Sequence, residues 1–449
     1  MYPQSLPSPT RAALGLVAAA SVAALLSVAC SSTTVVQAQP PVEEDAGAEA
    51  STPDGLSADG ERPACTGTSG ASTATPEPRG DAAGALDPTA RRFVLFGGDV
   101  AVPICPNVPT AKFVGDTWVL DVACGEWRKL DAQGPSARSR LASTTDTTRG
   151  RGIFFGGRYR QGTSGAYTLY NDVWAFDFAA ETWAQLPTTG TGPSARANAT
   201  AVYDAEGDRV IVFGGNSSTN GLSFKPEADA FALDLKTNAW SPVGANGTKP
   251  RGRLFHSMAI DATTRTAYVF SGGDENAFLG PFFKDVFALD LATDTWREVA
   301  ATGDTPLGRI NGAATFDSAQ KRLLVFGGHD DGQVGNQNDL YALDVSVTPA
   351  VWSRVEGGDT FNKPSAGQCD FAPDFTNVDK NRPDRRGAFA FGVRKDGRGL
   401  VLFGGKTDCG LAADAWWMAA GSAKFTPVNQ SPVGLSCVRV STTCKGLCG

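Results

Sequence analysis

One short phrase occurs six times in this chain of 449 residues, and its spacing limits the folds that the chain can adopt. In each copy an aromatic residue stands beside a glycine pair, and an arginine stands seventeen positions before it. The pairs are Arg79 and Phe96, Arg138 and Phe155, Arg196 and Phe213, Arg253 and Phe270, Arg309 and Phe326, and Arg386 and Phe403. The spacing holds even in the fourth copy, where Ser271 follows Phe270 and the glycine pair stands one place further on. The glycine pairs recur about every 58 residues, with a longer gap before the last, which indicates a repeat architecture.

Each copy predicts four β-strands. The first follows the arginine, and the second is a short apolar run such as Leu323 to Phe326. The third opens with an Asp-x-aromatic motif, at Asp116, Asp172, Asp229, Asp285, Asp339 and Asp414. The fourth carries Trp127, Trp183, Trp240, Trp296, Trp352 or, in the last copy, Phe425. One such sheet cannot bury its aromatic face alone, so we expect six sheets packed in a ring.

These features resemble the kelch repeat. The Pro-x-x-Arg lead (135–138 and 193–196), the Phe-Gly-Gly turn, the Asn-Asp-Val-Trp-x-x-Asp strand (171–177) and the closing tryptophan all match. The resemblance covers roughly residues 79–427 and implies an all-β fold, a six-bladed kelch-type β-propeller with four-stranded antiparallel blades. We expect blades near 79–133, 138–190, 196–246, 253–305, 309–356 and 386–427. A complete first strand follows Arg79, so the ring should close without a strand borrowed from the C-terminus.

The N-terminal residues 1–29 predict a signal peptide of the lipoprotein type. The run Leu25 to Cys30 resembles a bacterial lipoprotein box, although Ser27 stands where leucine is usual. Cys30 is therefore the predicted lipidation site, and Ser31 after it favours the outer membrane. The alternative is an ordinary cleaved signal peptide. Residues 30–78 read as a flexible tether, and 428–449 as a cysteine-containing tail.

Composition and charge limit the kinds of partner that the protein is expected to bind. A net charge of −7 gives no reason to expect nucleic acid or anionic membrane surfaces. We therefore expect an envelope or extracellular protein or a glycan as partner, with the membrane reached only through the N-terminal lipid. No cysteine shows metal-ligand spacing with histidine, so neither a metal nor another cofactor is predicted.

Eight cysteines remain after Cys30, and an even number in an exported chain predicts disulfides. Cys369 and Cys409 fall in loops of the same blade and are expected to pair. By the same reasoning Cys65 should pair with Cys105. Cys124 is then left to pair among Cys437, Cys444 and Cys448.

The long loops join strands two and three or connect successive blades, and both kinds emerge on one face, which we call the loop face. The opposite face, with short turns, is the turn face. In kelch proteins, residues near the repeated arginine often line the mouth of the central pocket. Arg138, Arg196, Arg253, Arg309, Arg386 and His329 are therefore candidate binding residues for anionic ligands. The alternative, which their repetition favours, is that each arginine hydrogen-bonds carbonyl groups or a neighbouring blade.

Two kinds of kelch enzyme are alternatives to a non-catalytic binding module. Kelch-type copper-radical oxidases need two histidine ligands with tyrosines and a Tyr–Cys cross-link. This chain has only His256, at a position where a packed histidine is ordinary, and His329, expected in a surface loop. A sialic-acid mutarotase is more similar, being an exported six-bladed kelch protein, and Arg138, Glu275 or His329 would be its candidate acid–base groups. No constellation of nucleophile, base and orienting group is visible, so the binding module is preferred and no catalytic residue is assigned.

Overall fold

The structure is a computed structural model that describes residues 60–66, 74–101, 111–162, 164–221, 223–276, 279–330, 335–361, 376–377, 381–407 and 410–429. Within these ranges, no helix is long and apolar enough to cross a membrane. Cys30, Cys105, Cys369, Cys409 and the three tail cysteines lie outside the described residues, so the lipidation site and the Cys369–Cys409 pair stay predictions.

The first three blades follow in chain order. Blade 1 consists of β1 (Ala83–Leu86), β2 (Arg92–Phe96), β3 (Thr117–Asp121) and β4 (Glu126–Leu130). Blade 2 consists of β5 (Ala142–Asp146), β6 (Arg151–Phe155), the short pair β7 (Arg158–Tyr159) and β8 (Thr168–Leu169), then β9 (Val173–Asp177) and β10 (Thr182–Leu186). After β11 (Thr189–Gly190), blade 3 consists of β12 (Thr200–Asp204), β13 (Arg209–Phe213), β14 (Ala230–Asp234) and β15 (Ala239–Val243).

The last three blades repeat the pattern. After β16 (Asn246–Gly247), blade 4 consists of β17 (Ser257–Asp261), β18 (Thr266–Phe270), β19 (Val286–Asp290) and β20 (Thr295–Glu298). After β21 (Ala301–Gly303) and β22 (Arg309–Ile310), blade 5 consists of β23 (Ala313–Asp317), β24 (Arg322–Asp330), β25 (Asn336–Asp344) and β26 (Ala350–Glu356). After β27 (Thr360–Phe361), β28 (Thr376–Asn377) and β29 (Arg386–Gly387), blade 6 consists of β30 (Ala390–Val393), β31 (Gly399–Phe403), the short pair β32 (Lys406–Thr407) and β33 (Gly410–Leu411), then β34 (Ala415–Ala419) and β35 (Lys424–Asn429).

Each blade is built from consecutive strands of its own chain segment. The four main strands are antiparallel, and the first lies innermost, against a central channel. Among the described residues, all four strands of blade 1 come from residues 83–130, as the sequence predicted. The segment leaving a blade also adds a short parallel strand to the outer strand of the next blade: β11 pairs with β15, β16 with β20 and β21 with β26.

Neighbouring blades bury each other's faces, and six apolar clusters fill the six interfaces around the ring. One aromatic contact recurs at every interface. The phenylalanine before the glycine turn packs against the closing aromatic residue of the next blade, with ring centroids 4.7–5.6 Å apart. The last of these, Phe403 against Trp127, joins blade 6 to blade 1 at 4.8 Å. Such pairs add about 0.5–1.5 kcal/mol each beyond their buried area. The repeated aromatic residues therefore close the ring.

The glycine turn places two consecutive residues at positive φ, as in Gly97 at 67° and Gly98 at 106°. A Cβ on Gly97 would overlap the carbonyl oxygen of Arg138 in the next blade. In blade 4, Ser271 at 62° and Gly272 at 99° occupy these two places. Ser271 thus takes the place of the first glycine, and the turn keeps the same register as in the other copies. Its hydroxyl accepts the N–H of Arg309 at 2.7 Å, which ties it to blade 5.

Residues 60–66, which we call the strap, cross the turn face where blade 6 meets blade 1. Trp417 Nε1 of blade 6 donates to the carbonyl of Gly60 at 2.8 Å, and Cys65 forms a disulfide with Cys124 of blade 1, with Cα atoms 4.8 Å apart. The predicted Cys65–Cys105 pair is therefore wrong. Cys65 precedes blade 1 in sequence, but the strap runs beneath that blade, where the turn from β3 to β4 presents Cys124.

Candidate functional site

The six repeated arginines lie inside the blades, each at most 2% exposed. Each pairs with the aspartate of the Asp-x-aromatic motif in its own blade. Each also donates from Nη1 to the carbonyl of the first residue of the glycine turn. In blade 6, Nη1 of Arg386 lies 2.6 Å from Oδ1 of Asp414 and 3.0 Å from the oxygen of Gly404. We call each Arg–Asp pair a clamp.

The clamp corrects the prediction of binding residues. Arg138, Arg196, Arg253, Arg309 and Arg386 were candidates for the mouth of the pocket, but their guanidinium groups are buried and hydrogen-bonded within the blade. The hydrogen-bonding alternative is the one that the structure shows. Burial opposes the ionisation of Asp414. The charge and hydrogen bonds of Arg386 outweigh this effect and keep the pKa of Asp414 below its usual range.

The mouth of the channel is formed by the residues two positions after each clamp arginine: Asp81, Arg140, Asn198, Phe255, Asn311 and Ala388. Their backbones form a closed ring, in which each N–H donates to the carbonyl of the ring residue in the preceding blade, at 2.7–3.3 Å. The N–H of Asp81 donates to Ala388 and so completes the circle. We call these six residues the mouth ring.

All six ring residues adopt positive φ, between 56° and 60°, although none is glycine. Non-glycine residues in this region are uncommon, and they persist only where the surrounding structure over-determines them. Here the backbone ring does so. Because the hydrogen bonds are made by backbone groups, the side chains are free to differ, and the six positions carry five residue types.

Asp81 is the charged centre of the ring. Its Oδ1 lies 3.1 Å from Nε of Arg140, and its Oδ2 lies 2.6 Å from Nζ of Lys406. Burial opposes the ionisation of Asp81, but the charges of Arg140 and Lys406 prevail and hold its pKa well below the usual range. The carboxylate is thus a fixed negative charge between two cations.

Asn198 lies beside Arg140 on the ring and is 6% exposed. Neither its Oδ1 nor its Nδ2 has a hydrogen-bond partner in the described part of the chain. A buried amide without partners costs free energy. Both atoms are themselves fully buried, so a ligand at the mouth would reach this donor and acceptor once the side chain turns outward.

A second set of positions lies one strand further from the axis. These residues follow the glycine turn and bridge to the residue after each clamp arginine: Asp99, Arg158, Asn216, Gly273, His329 and Lys406. We call them the outer ring. His329 lies in β24, half-buried, with Nδ1 3.2 Å from Oδ1 of Asn336. The expectation of a solvated surface loop at His329 is therefore wrong, although the residue does lie on the loop face.

Arg158 of the outer ring is 8% exposed and stacks on Tyr167, with Cζ 4.1 Å from the ring centroid. Burial, reinforced by the charge of Arg140, lowers the pKa of Arg158 to about 9. The side chain remains a cation at neutral pH, but it is a poorly solvated one.

The channel below the ring has a cavity volume of about 250 Å³ and is lined by the innermost strands. His256 lies in its wall, 3% exposed, with Nε2 2.6 Å from Oγ1 of Thr200. Burial, and then the charge of Arg253, lower the pKa of His256 well below its usual value of 6.5. Glu275 is exposed in the loop after β18 and does not line the channel. Among the described residues, no cluster of three or more His, Cys, Asp or Glu side chains is placed to hold a metal ion.

The candidate residues predicted from the sequence stand two positions before the residues that line the mouth of the channel. The mouth-ring residues and Arg158 were missed, because no single residue type repeats at those positions. The sequence does contain a signal for the mouth ring. The clamp arginine is the same in all six copies, whereas the residue two positions after it varies.

Known proteins with similar sequence or structure agree with this architecture. A family model described as the KLHDC2/KLHL20/DRC7 Kelch-repeats domain matches residues 61–264 and 204–372. The putative adagio-like protein 2 of Oryza sativa subsp. japonica is 29% identical over 279 residues, 58% of this chain and 40% of the rice protein. The N-(sulfonatooxy)prop-2-enimidothioate sulfolyase of Thlaspi arvense is 30% identical over 263 residues, 55% of this chain and 70% of that protein.

The acyl-CoA-binding domain-containing protein 4 of Arabidopsis thaliana is 25% identical over 257 residues, 54% of this chain. This chain spans only 40% of the length of the rice protein and 36% of that Arabidopsis protein. Among solved structures, the structure of YjhT matches with a TM-score of 0.54 at 16% identity, covering 79% of this chain and 98% of YjhT. That likeness concerns the fold alone. The two matched stretches of the family model together cover more than half of this sequence, and the chain belongs to the kelch-repeat family.

Proposed function

We propose that this protein is an exported, lipid-anchored recognition module that binds its ligand non-catalytically at the mouth ring on the loop face. One observation carries the proposal. At six equivalent backbone positions the ring presents different side chains, and the buried amide of Asn198 has no partner in the described residues. A scaffold that is regular in its backbone and irregular at its mouth is suited to recognition.

The size of the channel limits how a ligand binds. Pockets that enclose a drug-sized molecule measure about 300–1,000 Å³, and the channel volume of about 250 Å³ lies below that range. A ligand would therefore rest on the mouth ring and insert only a small part. A glycan end or an exposed loop of an envelope protein fits this description.

The strap is fixed on the turn face by the hydrogen bond from Trp417 and by the disulfide to Cys124. The lipid at Cys30 can be tested by labelling. Labelled palmitate should enter the wild-type protein and not the Cys30→Ala variant, and equal labelling of both would remove the anchor from the proposal.

The binding proposal is tested by calorimetric titration of the full chain with muropeptides, neutral and acidic monosaccharides, and purified envelope proteins. Asn198→Leu removes the unpartnered amide and should weaken binding about tenfold or more. Arg128→Gln is the matched control, because Arg128 is 57% exposed on β4, the outermost strand of blade 1. A ligand whose affinity is unchanged by Asn198→Leu and by Phe255→Ala would place recognition elsewhere.

A carbohydrate-active isomerase resembling sialic-acid mutarotase is the second candidate. His256 favours it, because a neutral imidazole in the channel wall below the mouth is a possible proton acceptor. The Thlaspi arvense relative also carries the name of an enzyme. Exchange NMR on N-acetylneuraminate would detect faster interconversion of its anomers. Catalysis that His256→Gln abolishes would favour the enzyme over the binding module.

A further inference from the structure

The outer ring contains one residue that does not follow the pattern of the others. Asp99 accepts the backbone N–H groups of Ala101 and Lys112, at 3.0 and 2.8 Å. Asn216 accepts from Ser218 and Lys225 in its own loop, at 3.2 and 2.8 Å. Lys406 pairs with Asp81, and His329 contacts Asn336. Gly273 has no side chain. Each of these polar side chains therefore has at least one partner within the protein.

Arg158 is the exception. Among the described residues, its side chain forms neither a hydrogen bond nor an ion pair, although it is 8% exposed. Asp81 and Asp99 act on its charge only through space. Nε is fully buried without a partner, whereas Nη1 and Nη2 are not among the fully buried unpartnered atoms. The terminal nitrogens therefore reach accessible space. Leaving a buried guanidinium without an acceptor is costly, and the face of Tyr167 compensates only in part.

A second unpartnered donor stands next to Arg158. Ser139 and Arg158 exchange two backbone hydrogen bonds, at 2.9 and 3.0 Å, so their side chains project to the same side of the ladder. Ser139 is fully buried, and its Oγ has no partner in the described chain. The hydroxyl and the guanidinium lie directly opposite each other, and both are unsatisfied. An oxyanion can reach Nη1 and Nη2 of Arg158 directly, and the buried Oγ of Ser139 once that side chain turns toward it.

The charge around this pair also suits an anion. Arg160 lies against the same aromatic ring, with Cζ 4.5 Å from the centroid of Tyr167, and its Nε and Nη2 are buried without partners. Besides the Arg138–Asp172 clamp, the charged groups near this pair include the cations Arg140, Arg158, Arg160 and Lys406 and the carboxylates Asp81 and Asp99. Positive charge is in excess, and the two carboxylates are already engaged by Arg140 and Lys406 or by backbone N–H groups.

We propose that Arg158 and Ser139, supported by Arg160 and Tyr167, form an oxyanion subsite beside the mouth ring, which takes a carboxylate, phosphate or sulfate group of the ligand. The inference rests on the proposed function, because the subsite lies on the loop face that the ligand would approach. The planar end of a guanidinium matches a carboxylate with two parallel hydrogen bonds, so a carboxylate is the expected first choice.

The subsite can be tested without knowing the natural ligand. Thermal unfolding of the full chain is followed at constant ionic strength with chloride replaced by acetate, phosphate or sulfate. At least one oxyanion should raise the melting temperature of the wild type above its value in chloride. Sulfate and phosphate also stabilise folded proteins in general, so the measure is the part of the rise that Arg158→Gln loses relative to the wild type. That loss should correspond to binding weakened about tenfold or more. Arg158→Lys keeps the charge without the fork and should retain a weaker response, and Arg128→Gln should retain the full one.

The three salts identify which oxyanion is preferred. A wild type that gains nothing from any of them over chloride would overturn the subsite, as would an Arg158→Gln variant that responds like the wild type. Ser139→Ala should reduce the response without abolishing it. The readout is independent of Asn198→Leu, which tests the mouth ring. If the wild type shows no anion response but still binds its ligand, the subsite is wrong while the proposed function stands.

Discussion

Two positions in each repeat lie only two residues apart, but one carries the same residue in every copy and the other does not. The clamp position is arginine in all six blades, and its side chain is buried and fully engaged. The mouth-ring position varies, and its backbone rather than its side chain makes the repeated contacts. The repeated contacts are thus made by the arginine side chain at the clamp position and by the main chain at the mouth-ring position.

The difference shows which residues the fold requires. A clamp joins the starts of the first and third strands to the end of the second, so each blade needs its own copy. The mouth ring closes through N–H and C=O groups, which every residue type except proline supplies. Repetition therefore identifies residues that build the propeller, and departure from repetition identifies residues available for recognition.

The sharpest test of this comparison lies in blade 6. Arg386→Ala leaves the 11%-exposed carboxylate of Asp414 and the carbonyl of Gly404 without their donor. Breaking such a pair by removing one partner costs about 3–5 kcal/mol. Chemical denaturation should therefore show a loss of that size in the free energy of unfolding.

The matched control is Ala388→Gly, two residues further along. Ala388 has a φ of 56°, a conformation that glycine adopts without strain, and only its backbone serves the ring. The free energy of unfolding should change by less than about 1 kcal/mol, because relieved strain and added chain entropy offset each other. Equal losses in the two variants would contradict the distinction between clamp and ring.

The same distinction explains what could be read from the sequence. The number of blades, the strand order and the closing aromatic residues follow from side chains that repeat. The position of the mouth does not follow from repeated side chains. Arg140 and Phe255 adopt positive φ although neither is glycine, so the sequence does not indicate this conformation. His329 was expected in a loop, but β24 continues past the glycine turn through a register shift between Phe326 and Gly328. The partner of Cys65 depends on the path of the strap, for which the repeat has no equivalent.

The strap is an exception to the rule that repeated residues build the propeller. It occurs only once, but we expect it to stabilise the fold. It crosses the interface of blades 6 and 1, and its disulfide links residues 59 apart in sequence. Cys65→Ser with Cys124→Ser should lower the free energy of unfolding by about 2–4 kcal/mol in denaturant titrations, mainly because the unfolded chain gains freedom. Oxyanion and ligand binding on the loop face should be unchanged. A double variant that keeps its stability but loses binding would instead assign the strap to function.

The smallest expected effect concerns His256, one residue beyond the mouth-ring residue Phe255. Its Nδ1 is buried without a partner in the described chain, and its pKa is lowered by burial and by Arg253. The folded protein therefore holds the imidazole neutral, whereas the unfolded chain binds a proton below a pH of about 6.5. Unfolding takes up that proton, so stability falls as the pH decreases from 6.5, by at most about 1.4 kcal/mol per pH unit. His256→Gln keeps a neutral polar group beside Thr200 and should lose this slope between pH 6.5 and 5. If wild type and variant lose stability in parallel over that range, the imidazole is protonated in the folded state, and the channel wall is more open to water than the buried contacts of His256 imply.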